Sequence, residues 1–105
     1  MPAYVIAEVS INDPEQYKKY TAVTPGIIEQ YGGKFVVRGG DVQTLEGKHA
    51  DSRWVVLEFS DENAARSFYD SPEYTNARAI RQSASDAKFV SVSYTHLTLP
   101  TKRIV

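Results

Sequence analysis

Residues 4 to 11 alternate, with Val5, Ala7, Val9 and Ile11 on one face and Tyr4, Ile6, Glu8 and Ser10 on the other, which is the period of a strand. The pattern then turns helical: Tyr17, Tyr20, Thr24, Ile27, Ile28 and Tyr31 form one apolar stripe, while Lys18, Lys19 and Glu29 point elsewhere. Asp13-Pro14-Glu15-Gln16 opens that helix, because Asp13 can accept from the free amide of Gln16, Pro14 suits the first turn and Glu15 complements the positive helix end. Pro25 removes a rung of the hydrogen-bond ladder and predicts a kink near Ala22, eased by Gly26. Gly32 closes the helix in a left-handed conformation and Gly33 permits an immediate turn.

A second strand runs from Lys34 to Arg38, is bent at Gly39-Gly40 by a bulge or turn, and resumes through Val42 to Leu45. Glu46 to Ser52 is a polar connection. Arg53 to Phe59 alternates again, placing Val55, Leu57 and Phe59 on one face and Trp54, Val56 and Glu58 on the other. Ser60-Asp61-Glu62 starts a second helix with Ala64, Ala65, Phe68 and Tyr69 inward. Ser71-Pro72-Glu73-Tyr74 restarts it, with Tyr74, Ala77 and Ile80 on its apolar side. Ala87 to Ser91 is the last strand. This order predicts an α+β, ferredoxin-like split βαβ fold (βαββαβ): a four-stranded antiparallel sheet with its helices on one face. The other face, bearing Tyr4, Ile6, Trp54 and Val56, is too apolar to meet water, so a homodimer packed through the open sheet faces is expected.

Tyr31-Gly32-Gly33-Lys34-Phe35-Val36-Val37-Arg38-Gly39-Gly40, Leu45-Glu46-Gly47, Val55-Val56-Leu57-Glu58-Phe59 and Ser71-Pro72-Glu73-Tyr74, in that order, resemble family 1330 of the domains of unknown function, over residues 2 to 91. That family is similar to the dimeric α/β-barrel superfamily, so the resemblance implies the same fold and a homodimer. The superfamily includes cofactor-free monooxygenases of polyketide tailoring, muconolactone-isomerase-like enzymes and haem-degrading enzymes. The family has no settled activity, and the resemblance leaves the reaction open.

Val92 to Thr101 read Val-Ser-Tyr-Thr-His-Leu-Thr-Leu-Pro-Thr, the translation of GTC TCT TAT ACA CAT CTG ACG CTG CCG ACG. That string is similar to the transposase mosaic-end adaptor of sequencing libraries, and both Ser91 and Lys102 permit the flanking adaptor bases. The expectation is a domain over residues 1–91 and a non-native tail over 92–105, read through from an assembled metagenome. Two of the 12 basic residues, Lys102 and Arg103, fall in that tail, against 13 acidic residues in the whole chain.

Composition narrows the chemistry. The chain has 105 residues, room for one domain, and 42% of them are hydrophobic without any run long enough to span a bilayer. Met1-Pro2-Ala3-Tyr4 leads into a strand with no basic start or cleavage pattern, so a cytoplasmic location is expected. The chain contains no cysteine, which removes disulfides and thiolate chemistry, and His49 is a lone loop histidine once the tail is set aside. No metal site or cofactor is expected. With no basic cluster longer than Lys18-Lys19, nucleic acid is not an expected partner. The glycine pairs lack the Gly-Lys-Ser/Thr of a phosphate loop.

The candidate site residues are few. Arg38, at a strand end beside two glycines, can hold an anionic oxygen with two parallel hydrogen bonds, or pair with Glu8 or Glu58 across strands. Glu58, mid-strand among apolar neighbours, is a candidate proton acceptor or one half of an ion pair, and Glu8 is read the same way as a ligand-binding residue. Of the many tyrosines, Tyr20 is the candidate for moving a proton and Tyr74 for binding, with core packing the competing role. Trp54 is a ligand wall or an interface anchor; Arg78 and Arg81 read as solvated helix charges. Together they point to a cofactor-independent enzyme, of monooxygenase or isomerase type, for a small organic acid or aromatic. The alternative is a non-catalytic ligand-binding or stress-associated dimer module.

Overall fold

A computed structural model describes residues 1–48 and 52–93. The elements in order are β1 (Ala3–Ile11), α1 (Pro14–Gln30), β2 (Lys34–Arg38), β3 (Arg53–Phe59), α2 (Glu62–Tyr69), α3 (Pro72–Ala84) and β4 (Ser85–Ser93). They form a ferredoxin-like fold: one four-stranded antiparallel sheet in the order β2-β3-β1-β4, with the three helices against one face.

Each helix starts where a side chain satisfies its first free amides. Asp13 accepts from the Gln16 amide at 3.2 Å, Asp61 from Ala64 at 2.8 Å, and Ser71 from Tyr74 at 3.0 Å. Ser71 also donates to the Phe68 carbonyl at 2.8 Å, so one side chain closes α2 and opens α3. α1 ends in a Schellman motif: Gly32 at φ 81° bonds back to Glu29, and Gly33 to Ile28 at 2.9 Å. Helix α1 continues through Pro25 as one element from Pro14 to Gln30.

Gly33 does more than turn the chain. A Cβ built there would lie 2.5 Å from a Phe59 ring carbon and 3.0 Å from Ile28 Cγ2. Phe59 is 1% exposed and cannot swing aside. Gly33→Ala is therefore expected to destabilise by about 1–3 kcal/mol through overpacking, read as a lower urea midpoint at unchanged m; a neutral outcome would mean the helix-strand turn has slack.

The register sorts the side chains onto two faces. Val5 opposite Leu57, Ala7 opposite Val55 and Val9 opposite Arg53 face the helices. Tyr4 opposite Glu58, Ile6 opposite Val56 and Glu8 opposite Trp54 lie on the open face, joined there by Lys88, Val90 and Val92 of β4. The core between sheet and helices is aromatic, with Phe68 stacked 5.3 Å from Phe59 and 4.5 Å from Tyr74.

The chain bends at Gly39-Gly40, both at positive φ, as expected, and a further irregularity lies within β2 between Phe35 and Val37. Two strand details differ from expectation. Among the described residues, Val42 to Leu45 do not resume a strand. β4 starts at Ser85, directly from α3, and runs to Ser93, with Val92 opposite Tyr4 and Ser93 opposite Ala3. The lone-histidine reading of His49, and all of the tail beyond Ser93, lie outside the described residues.

Candidate functional site

The bulge at Val36 decides the site. In a straight strand Arg38 would share a face with Lys34. Here Phe35 opposes Leu57 and Arg38 opposes Val55, so both look toward the helices, because a bulge inserts one unpaired residue and re-aims the side chains beyond it. The Arg38 guanidinium sits 4.4 Å over the Phe35 ring. An ion pair from Arg38 to Glu8 or Glu58 is thereby corrected: those carboxylates are on the opposite face. Glu58 lies 3.8 Å from Lys34, and Glu8 accepts from the Ser52 hydroxyl at 3.3 Å.

On the helix side a cleft opens between α1 and the sheet. Tyr17, Tyr20, Thr21, Thr24, Pro25 and Ile28 of α1 form one wall, and strand residues from Val5 to Phe89, including Arg38 and Arg53, the other. It holds about 510 Å³ of atom-free space, continuous with solvent. Most of its lining is apolar, and its fixed charges are two guanidiniums.

Arg53 is held there by its surroundings. Its guanidinium occupies the place that a Cβ on Gly39 would fill, and Gly39, at φ 69°, donates its amide to the Trp54 carbonyl at 2.9 Å. Its Nε is buried without a hydrogen-bond partner. Among the described residues neither Arg38, Arg53 nor Arg81 forms an ion pair with a carboxylate. Arg38 and Arg53 stand on adjacent strands and line the same cleft, so an anion bound there would be attracted by both.

The phenols form the second part of the site. Tyr17 and Tyr20 rings are 5.3 Å apart, and the Tyr20 and Tyr74 hydroxyls share a 2.8 Å hydrogen bond. Burial pushes Tyr20 well above an ordinary phenol, and the neighbouring Tyr74 hydroxyl adds to the rise. Burial also raises Tyr17 and Tyr74, opposed at Tyr17 by Arg53 and at Tyr74 by the bond to Tyr20 and by Arg81. At neutral pH these groups are protonated donors, suited to holding or protonating an oxyanion rather than taking up a proton.

Arg81 is the largest departure from the sequence reading. It is 4% exposed, not solvated, with its guanidinium 4.3 Å from the Phe89 ring and its Nε unpartnered. Arg78 lies 4.8 Å over Tyr69. The structure thus brings Tyr20 and Arg38 to one cleft, buries Tyr74 against Tyr20, and leaves Glu58, Glu8 and Trp54 on the other side of the sheet. Glu58 and Tyr20 do not share a pocket. Arg53, Arg81 and Tyr17 are the additions. A signal existed for two: Arg53 alternates in phase with Val55, Leu57 and Phe59, and Arg81 continues the stripe of Tyr74 and Ala77.

The model of the family described as Domain of unknown function (DUF1330) matches residues 2–95. The chain belongs to this family. Among curated proteins no relative matches. Among solved structures, a protein of unknown function from Rhodopseudomonas palustris is 22% identical, with a TM-score of 0.72 over 91% of this chain and 84% of that one. A dimeric ferredoxin-like protein of unknown function from a Jannaschia species is 15% identical, with a TM-score of 0.70 over 90% and 100%. A cofactor-independent oxygenase from Streptomyces nogalater is 13% identical, with a TM-score of 0.65 over 92% and 96%. These likenesses establish the fold. No helix among the described residues is long and apolar enough to cross a membrane, and no group of three potential metal ligands occurs there.

Proposed function

We propose that this family member binds a small organic acid in the cleft between α1 and the sheet, with the carboxylate against Arg53 and Arg38 and the apolar body among Tyr17, Phe35, Leu57 and Phe89. One observation carries this: two guanidiniums line an apolar cleft, one with a buried unpartnered Nε, and no described carboxylate neutralises either. An arginine fork matches a carboxylate with two parallel hydrogen bonds.

The test is calorimetric titration with benzoate and with benzamide, which has nearly the same shape without the charge. Benzoate is expected to bind and benzamide at least about tenfold more weakly, the worth of one charge-assisted hydrogen bond. Arg38→Met should weaken benzoate with little change in stability, since Arg38 is exposed at the cleft mouth. Equal affinities for the two probes would sink the anion site.

A catalytic role is the second reading, favoured by the likeness to the Streptomyces nogalater oxygenase. The same cations would hold the enolate oxygen of an enolisable aromatic, and the protonated phenols would stabilise it further. Fold likeness alone carries little functional weight. Oxygen uptake and product formation with 2-tetralone, measured with and without protein, decide between turnover and binding.

The open sheet face is proposed to pack against a second copy. Tyr4, Ile6, Trp54, Val56, Val90 and Val92 cover it; among its charges Glu58 pairs with Lys34, and Glu8 accepts from Ser52 and stands opposite Lys88 in the register. The Jannaschia neighbour is described as dimeric. Val56→Glu is expected to yield a folded monomer by light scattering, whereas a monomeric wild type would remove the proposal. The read-through origin of residues 92–105 is a proposal as well, tested by resequencing the locus from an independent amplicon.

A further inference from the structure

Pro25 sits in the interior of α1, which runs unbroken from Pro14 to Gln30, although proline is the least favourable residue for a helix interior. Its position has a chemical consequence. Each helix carbonyl accepts from the amide four residues on, and proline has no N–H, so the Thr21 carbonyl lacks the partner that the ladder would give it. The Gly26 amide belongs by the same rule to Ala22. The nearby hydroxyls are committed elsewhere: Thr21 Oγ1 donates to the Lys18 carbonyl at 3.1 Å, and Thr24 Oγ1 to the Tyr20 carbonyl at 2.6 Å. A helix carbonyl points along the axis toward the residue it serves, which puts this one on the strip between Thr21 and Pro25. Both residues are half-buried and both line the cleft.

We propose that the Thr21 carbonyl is a second anchor of the cleft, accepting a hydrogen bond from an N–H or O–H at the far end of the bound acid. The ligand class narrows to apolar-bodied organic acids that carry an amino or hydroxyl group away from the carboxylate. This deepens the carboxylate reading of the cleft and rests on it: Arg38 and Arg53 hold the acid end on the sheet wall, and α1 receives the donor end on the other. The direction of the bond is fixed, because a backbone carbonyl only accepts. A ligand that fills this apolar cleft without a donor would strand the carbonyl away from water, whereas one with a donor satisfies it. Selection thus works by exclusion as well as by attraction.

The experiment pairs meta- and para-aminobenzoate with meta- and para-methylbenzoate, which have nearly the same shape and no donor, in calorimetric titrations of the wild-type chain and of Pro25→Ala. At least one aminobenzoate is expected to bind wild type about tenfold tighter than its methyl twin, the worth of one hydrogen bond to an otherwise unpaired group. In Pro25→Ala the restored amide occupies the Thr21 carbonyl, and that advantage should vanish. A second readout needs no variant. Thr21-Ala22 is the one Thr-Ala pair in the chain, so isotopic labelling of threonine carbonyl carbons and alanine nitrogens isolates the Thr21 carbonyl as a single NMR signal. It is expected to move downfield with the aminobenzoate and much less with its twin. If benzoate binds but no aminobenzoate outdoes its twin, or the advantage survives in Pro25→Ala, or the Thr21 signal responds equally to both, the carbonyl anchor is wrong and the carboxylate site stands. If none of these acids binds, benzoate included, the carboxylate site falls and the anchor with it.

Discussion

Replacing Arg53 by Met is expected to weaken benzoate binding by roughly a hundredfold and to raise the stability of the free protein by about 1 kcal/mol. The two effects have one origin. Arg53 Nε is buried with no partner and its guanidinium lies against the Gly39 backbone, so an incoming anion supplies the acceptor that this N–H lacks in the free protein. Methionine fills similar space with no charge to desolvate. Binding loss with higher stability is the signature of a residue kept for a ligand. Thermal and urea melts beside the benzoate titration check it. A fall in stability with unchanged binding would make Arg53 a structural tie between β2 and β3 and would remove the main support for the anion site.

Phe68→Ala is expected to cost about 3–5 kcal/mol, a large share of the roughly 5–15 kcal/mol that holds a small domain folded. Phe68 is fully buried and stacks on both Phe59 and Tyr74, so its ring joins β3, α2 and α3. It also lines the cleft, and the volume it vacates adjoins existing free space rather than a closed core. Urea unfolding at constant m measures the loss. A cost under about 1 kcal/mol would mean that the helices collapse into the gap. A variant that stays folded should accept bulkier acids than wild type.

Where local chemistry settles a position, the sequence already shows the structure. Asp13, Asp61 and Ser71 cap the helices, Pro72 restarts one, Gly32 ends another, and the alternation of β1 and β3 assigns their faces. These signals depend on neighbours a few residues away. Arg38 escapes them because alternation assumes an unbroken ladder, and nothing in Phe35-Val36-Val37 marks Val36 as the residue that drops out of it. Arg81 escapes them for a different reason. A charge on an amphipathic helix is normally taken to face water, yet its spacing from Tyr74 and Ala77 puts it on the buried stripe. The length of β4 is hidden too, since Ser85 and Asp86 look like loop residues until pairing with Ile11 and Ser10 claims them. The cleft is legible as a layer of tyrosines on α1 and, through its alternation with Val55 and Leu57, in Arg53; Arg38 is not legible there, because a strand slip decides its face.

The bulge at Val36 also limits what shared motifs mean among relatives. A chain carrying the same ten letters from Tyr31 to Gly40, but with a straight second strand, would turn Arg38 onto the surface proposed to meet another copy. One without Val36 would keep it in the cleft. The same spelling can thus serve ligand recognition in one protein and self-association in another, so backbone pairing, more than aligned identity, tells which relatives inherit the site.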